Sequence, residues 1–205
     1  MTANDAIVVV DDDSAVRDSL GSLIETAGFS VQLYESAGDF IARCPSTTQG
    51  CLLLDVQMPE MNGLTLQEKV ATGWPRLAVV VMTGHGDVPI AVRAMKAGAV
   101  DFIEKPFHHE VLLDIIGTAV EQSRRIAKEA EETGKLDTKL SLLSKREREV
   151  LEGLVAGLPN KTIAYDLGVS PRTVEIYRAR LMDKMQARSL SELVRMATTA
   201  GVRPK

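Results

Sequence analysis

Three short runs of uninterrupted apolar residues punctuate the first half of the chain: Ile7-Val8-Val9-Val10, Cys51-Leu52-Leu53-Leu54 and Ala78-Val79-Val80-Val81-Met82. Runs of this length, rich in branched side chains and bounded by turn residues, predict strands buried on both faces. Between them the apolar spacing lengthens to every third or fourth residue. Val16, Leu20, Leu23 and Ile24 share one face of a helix that Ser14 is placed to cap and Gly28 to end. Val31 to Tyr34 reads as a short strand, and Ser36-Ala37-Gly38-Asp39 resembles a capping box opening a helix through Phe40 and Ile41. Pro59 and Asn62-Gly63 mark a loop before a helix from Leu64 to Val70. Pro89 sits in the first turn of the next helix, Gly98 closes it, and Asp101 to Glu104 is the last strand, ending at Lys105-Pro106. A helix from His108 then carries Val111, Leu112, Ile115, Ile116 and Ala119. About five strands alternating with helices predict a parallel sheet covered on both faces.

The polar residues that end these strands change the picture from fold to chemistry. Asp11 and Asp12 follow the first strand, Asp55 ends the third, Thr83 the fourth and Lys105 the fifth. In open α/β sheets ligands bind beyond the carboxyl ends of the strands. A single acid after a strand is more often a turn former or a helix cap; five polar groups at that one edge are not explained so simply. Converging carboxylates repel one another unless a cation joins them, and hard oxygen ligands favour Mg²⁺ completed by water and phosphate oxygens. A lysine and a hydroxyl beside such a metal are what a phosphoryl group needs.

In the second half the strands stop. Arg124 to Glu132 keeps helix formers while its apolar face thins, which predicts a helical extension broken at Thr133-Gly134. Ser144-Lys145-Arg146-Glu147 is a capping box before Val150, Leu151, Leu154 and Val155, closed at Gly157. Asn160 is placed to cap a short helix through Ile163, Ala164 and Leu167; Gly168-Val169-Ser170 is a tight turn, and Pro171 opens a longer helix. Short helix, glycine turn and longer helix form a helix-turn-helix pattern. Charge separates the two halves. From Leu140 onward 12 Lys and Arg face 7 Asp and Glu, a balance of +5 that leaves −9 for residues 1–139 of a chain whose net charge is −4. A basic half suits a polyanion, and Arg172, Arg178, Arg180 and Lys184, with Thr173 in the first turn, put that charge on the longer helix.

Other chemistries find little support. No apolar stretch approaches a membrane span and Met1 to Asp5 lacks a signal peptide's basic region, so a cytoplasmic protein with no membrane partner is expected. Cys44 and Cys51 form no CxxC pattern and predict reduced, packed thiols. His85, His108 and His109 lack metal-ligand spacing and predict surface or turn positions.

Val10-Asp11-Asp12, Leu54-Asp55-Val56-Gln57-Met58-Pro59, Val81-Met82-Thr83-Gly84 and Glu104-Lys105-Pro106 together resemble the receiver domain of two-component response regulators. The resemblance implies a doubly wound five-stranded sheet of order 2-1-3-4-5, in which Asp55 accepts a phosphoryl group from a phosphohistidine on a sensor histidine kinase. It further implies that Asp12, Asp55 and the backbone carbonyl of Gln57 hold Mg²⁺ directly while Asp11 acts through water. Lys105 would pair with the phosphoryl oxygens, with a cis bond before Pro106, and Thr83 and Phe102 would form the switch pair. Leu143 to Leu151, Asn160 to Ala164 and Ser170 to Glu175 are similar to the LuxR-type DNA-binding domain. Two departures, Glu175 where many relatives have lysine and Tyr177 where histidine is usual, leave base preference open. Gly84 to Pro89, Met95 to Phe102 and Leu158 to Lys161 are similar in particular to rhizobial regulators of nitrogen-fixation genes that answer to a haem-based oxygen-sensing kinase.

The expected organisation is α/β plus all-α: a receiver domain over residues 1–122, a helical linker over 123–139 and a DNA-binding domain over 140–205. The expected function is a transcriptional activator that is phosphorylated, dimerises and binds double-stranded promoter DNA, with RNA polymerase as a further partner. Glu175, Ile176 and Ala179 are the candidates for base edges; Arg172, Thr173, Arg178, Arg180 and Lys184, with Asn160 and Lys161 of the short helix, complete the expected DNA-binding set. The helix from Pro89 to Ala97 and the strand from Asp101 to Glu104 supply the expected dimer face, with Val92 and Lys96 beside Phe102. The competing class is an aspartyl-phosphate phosphatase or phosphotransferase with a helical domain that binds no DNA. Against it stands Gln57, where such an enzyme would need a second acid to protonate a leaving group.

Overall fold

A computed structural model describes residues 5–84 and 88–203, so His85 and the Gly86-Asp87 pair lie outside the described residues. The chain divides into two compact units, Met1–Lys128 and Glu129–Lys205.

In the first unit β1 (Ala6–Val10), β2 (Ser30–Tyr34), β3 (Gly50–Asp55), β4 (Leu77–Thr83) and β5 (Asp101–Glu104) form one parallel sheet of order β2-β1-β3-β4-β5. Helices α1 (Ser14–Thr26), α2 (Ala37–Arg43), α3 (Gly63–Gly73) and α4 (Val88–Lys96) connect them, and α5 (His109–Ser141) follows β5. The period-two geometry of strands sorts the apolar runs into two cores. Val8, Val10, Leu52, Leu54, Val79 and Val81 pack with Phe40, Leu66, Val70 and Ala94 of α2, α3 and α4. Ile7, Val9, Cys51, Leu53, Val80 and Met82 face the other way, onto Leu20 and Ile24 of α1 and Leu112, Ile116 and Val120 of α5. Both cysteines are free and buried, and His108 and His109 are exposed.

Helix ends show where local chemistry departs from the sequence reading. Asp13, not Ser14, caps α1: its carboxylate accepts the Ala15 N–H at 2.8 Å, and Ser14 is already helical. Aspartate and serine serve equally well at this position, so the acid nearer the strand took it. Likewise Asn160 is the first residue of α7 (Asn160–Leu167) rather than its cap; Pro159 precedes it without a side-chain bond, and the Asn160 amide oxygen instead accepts from Arg178 at 3.0 Å. The expected break at Thr133-Gly134 does not occur, because α5 runs to Ser141. One glycine in a helix costs about 1 kcal/mol. The Lys135–Glu131 ion pair at 2.6 Å and good helix formers on both sides offset that cost.

The second unit contains α6 (Lys145–Val155), α7, α8 (Pro171–Met185) and α9 (Leu190–Thr199) around a core of Val150, Leu151, Ile163, Val174, Leu181, Met185 and Leu193. Leu140 and Leu143 are buried in the same core. The capping box at Ser144 and Glu147 is complete, Gly168 turns between α7 and α8 at φ 65°, and Ser170 caps α8 through the Thr173 N–H at 3.1 Å. Among the described residues, no helix is long and apolar enough to cross a membrane.

Candidate functional site

Parallel strands deliver their carboxyl ends to one edge, and the sequence places acids at two of them. Asp11 is 1 % exposed and Asp55 5 % exposed. Lys105, immediately after β5, reaches across to both: its Nζ lies 2.6 Å from Asp11 Oδ2 and 2.7 Å from Asp55 Oδ1. The cation that joins the two carboxylates is therefore this ammonium. Its own main-chain N–H donates to Thr83 O at 2.7 Å, tying the lysine to the end of β4. The Lys105–Pro106 bond is cis, in line with the resemblance.

The rest of the loop is held from several sides. The other Asp11 oxygen accepts the Asp13 N–H at 3.0 Å, and Arg17 of α1 donates to the Asp11 carbonyl at 2.7 Å. Gly63 approaches the backbone of Asp55 so closely that a Cβ there would lie 2.0 Å from the Asp55 carbonyl oxygen. Only glycine permits that approach.

Burial raises the pKa of the Asp55 carboxyl, and Asp11 adds to the rise; hydrogen bonding and charge attraction from Lys105 and a bond from the Gln57 N–H oppose it. On Lys105 the two carboxylates win over burial and the pKa is raised, so the ammonium stays charged. The cluster thus carries one carboxylate more than it has cations. That imbalance, with hard oxygen donors at a solvent edge, fits Mg²⁺, which is held by one or two carboxylates plus water and phosphate. Among the described residues no group of three or more His, Cys, Asp or Glu side chains draws together as a metal cluster. Asp12 is exposed, as is Gln57, while Asp11 and Asp55 converge. Of the three successive acids, one turns inward, one faces water and one caps a helix.

Thr83 is fully buried at the end of β4, and Phe102 on β5 is half-buried against the Val8–Leu54 side of the core. On α4, Val88, Val92 and Met95 are exposed at helical spacing, as is Lys96. Met95 and Val88 were not singled out from the sequence, although their spacing from Val92 was the available signal.

On α8 the candidates Arg172, Glu175, Ile176, Ala179 and Arg180 are exposed, as are Pro171 and Asp183. Lys161 of α7 is exposed, and Thr173 is half-buried. Three other candidates, Arg178, Asn160 and Lys184, form polar bonds within the domain. Arg178 is engaged by Asn160, and Lys184 makes an ion pair with Glu147 at 2.7 Å while donating to Leu142 O at 3.1 Å. Glu147 is 2 % exposed, and the Lys184 bond leads the causes that lower its pKa. Lys184→Met should leave this carboxylate buried and unpaired. The lysine side chain is 36 % exposed, so solvent screening trims the loss to about 1–2 kcal/mol, several degrees in melting temperature. A depressed carboxyl pKa stabilises the fold above the unfolded pKa and loses that contribution as pH falls through the folded value. The wild-type advantage over Lys184→Met, read from urea unfolding, should therefore hold at neutral pH and vanish in that acid range.

Residues 7–117 match the model of the response regulator receiver domain, and residues 141–197 that of the luxR family of bacterial regulatory proteins. The chain is a response regulator. It is 48 % identical over 202 residues to the transcriptional regulatory protein FixJ of Bradyrhizobium diazoefficiens, covering 98 % of each chain. Full-length FixJ from B. japonicum, also 48 % identical and 98 % covered on both sides, aligns with a TM-score of 0.59. The response regulator StyR aligns at 39 % identity over 96 % of this chain and 99 % of its own, with a TM-score of 0.82. As a FixJ-like response regulator this protein pairs a receiver with a LuxR-type DNA-binding domain, the arrangement behind phosphorylation-driven transcriptional activation. Such a regulator takes up a phosphoryl group instead of turning over a substrate, and receivers use Mg²⁺ in that transfer.

Proposed function

We propose that Asp55 is the phosphoacceptor, carried by one observation: its buried carboxylate stands at the end of β3 within 2.7 Å of the Lys105 ammonium. An Asp55 oxygen attacks the phosphorus of a phosphohistidine on a sensor histidine kinase; the P–N bond breaks and the imidazole leaves. Lys105 neutralises charge on the phosphoryl oxygens. Bound Mg²⁺, held by Asp12, Asp55 and the Gln57 carbonyl with Asp11 acting through water, would supply further charge neutralisation. A new acyl phosphate draws the Thr83 hydroxyl toward it and lets Phe102 turn, and the exposed α4–β5 face then pairs with a second copy.

On this reading residues 1–122 form the receiver, 123–139 the linker and 140–205 the domain that binds promoter DNA and works with RNA polymerase. The similarity to FixJ supports nitrogen-fixation or low-oxygen genes as targets. Glu175, Ile176 and Ala179 address base edges, with Arg172, Thr173, Arg180 and Lys161 beside the phosphates; Arg178, Asn160 and Lys184 act mainly by holding α8. Gel shift of promoter DNA with and without acetyl phosphate tests the whole scheme, and equal affinity in both would sink it. Arg172→Ala should weaken binding to all sequences and shallow the salt slope by about one unit. Glu175→Ala should instead change the preferred sequence, since a glutamate accepts from cytosine N4. Selection from random DNA reads this directly, and an unaltered motif would remove Glu175 as a reader.

A further inference from the structure

We infer that Lys139, near the end of α5, is a positioning residue for the exposed face of α8; the inference rests on α8 being the helix that reads DNA. The last four carbonyls of a helix have no partner within it. At the end of α8, Gln186 adopts φ 55° and its N–H turns back to Met182 and Asp183. The Met185 carbonyl is met from outside the helix, by Lys139 Nζ at 3.0 Å. A cation there also complements the negative end of the helix dipole. Lys139 is itself anchored, because the next residue, Leu140, is buried in the domain core.

Four polar bonds thus tie α8 to other segments: Arg178 to Asn160 of α7, Lys184 to Glu147 of α6 and to the Leu142 carbonyl, and Met185 to Lys139 of α5. None uses the face formed by Arg172, Glu175, Ile176 and Ala179. Lys139 alone among these three donors and their partners lies outside residues 141–197, which match the luxR family model. The pose of the reading face therefore depends on the last turns of the helix that leaves the receiver. The lever is long enough to matter: Glu175 stands ten residues before Met185, about 15 Å along the helix, so a tilt of about 4° moves it by about 1 Å. Base-edge hydrogen bonds do not survive such a shift, whereas phosphate contacts adapt to it.

The test uses full-length protein loaded with beryllofluoride and two probes: a duplex carrying the site that the wild type selects from random DNA, and a random-sequence duplex. Lys139→Met should lose about two- to fivefold in affinity for the selected site. Binding to the random duplex and the salt slope should not change, and Lys139→Arg should restore the selected-site affinity. Unchanged affinity of Lys139→Met for the selected site would overturn the inference. So would a salt slope shallower by about one, which marks a phosphate contact, or an equal loss on both duplexes with a lower melting temperature, which marks folding alone. A wild type that selects no sequence would overturn the DNA-reading role of α8, and this inference with it; Glu175→Ala run in parallel shows which of the two has failed.

Discussion

After incubation with acetyl phosphate and Mg²⁺, Asp55→Asn should run as one unshifted band on a Phos-tag gel, where the wild type splits into two. The amide fills the same space but lacks the anionic oxygen that attacks phosphorus. A full shift in the variant would place the acceptor elsewhere. The same substitution has a second, independent consequence for stability. Burial raises the Asp55 pKa despite Lys105, so the ionised carboxylate is less favoured in the folded chain than in the unfolded one. The native state consequently binds more protons than the unfolded state between the two pKa values, and wild-type stability falls as pH rises through that window. The penalty is complete above the raised folded pKa and absent below the unfolded one. Asparagine never carries it. Without Mg²⁺, Asp55→Asn should be the more stable protein at neutral pH, with the difference closing as pH falls below the ordinary carboxylate range; urea midpoints across pH measure it. A variant less stable at neutral pH would mean that the lost Lys105 bond outweighs the relief.

The strands were legible because a parallel sheet buries both faces, so each inner strand is written as a continuous apolar run. Asp55 and Lys105 were legible for the complementary reason: a charge set directly after such a run must lie at the sheet's edge. What the sequence left open was the division of labour among adjacent acids. Asp11, Asp12 and Asp13 are chemically alike, and only the twist of the backbone leaving β1 decides which one turns to Lys105. The ion pair of Lys184 was not legible, because its partner, Glu147, is 37 residues away and reads as half of a capping box, a role it fills at the same time. Helix α9 was missed, although Ser189 and Glu192 followed by Leu193, Met196 and Ala197 give both a cap and an apolar face. The continuity of α5 is a balance between one glycine and its neighbours that residue-by-residue signals do not settle.

With beryllofluoride bound, the full-length protein should sediment as a dimer at micromolar concentration, and Val92→Glu should remain a monomer. Val88, Val92 and Met95 leave an apolar stripe exposed on α4, and Phe102 stands half-buried on the neighbouring β5. Thr83 ends the strand that precedes α4, so a rearrangement at the phosphoryl group reaches this face through covalently adjacent residues. A glutamate at position 92 places a charge where two such stripes would meet, and removing it from water without a partner is costly. The effect on DNA should be larger than that of any single contact. Two linked domains on adjacent half-sites gain about 10²- to 10⁴-fold over one, because the second contact is intramolecular, and Val92→Glu forfeits that gain while keeping its phosphorylation. Unmasking predicts something different. The −9 of residues 1–139 and the +5 of the remainder are opposite in sign, and if phosphorylation acted by releasing an attraction between them, beryllofluoride would raise the DNA affinity of Val92→Glu as much as that of the wild type, with an effect that fades as salt screens the charges. A wild type that stays strictly monomeric with beryllofluoride bound would rule out dimerisation as the switch.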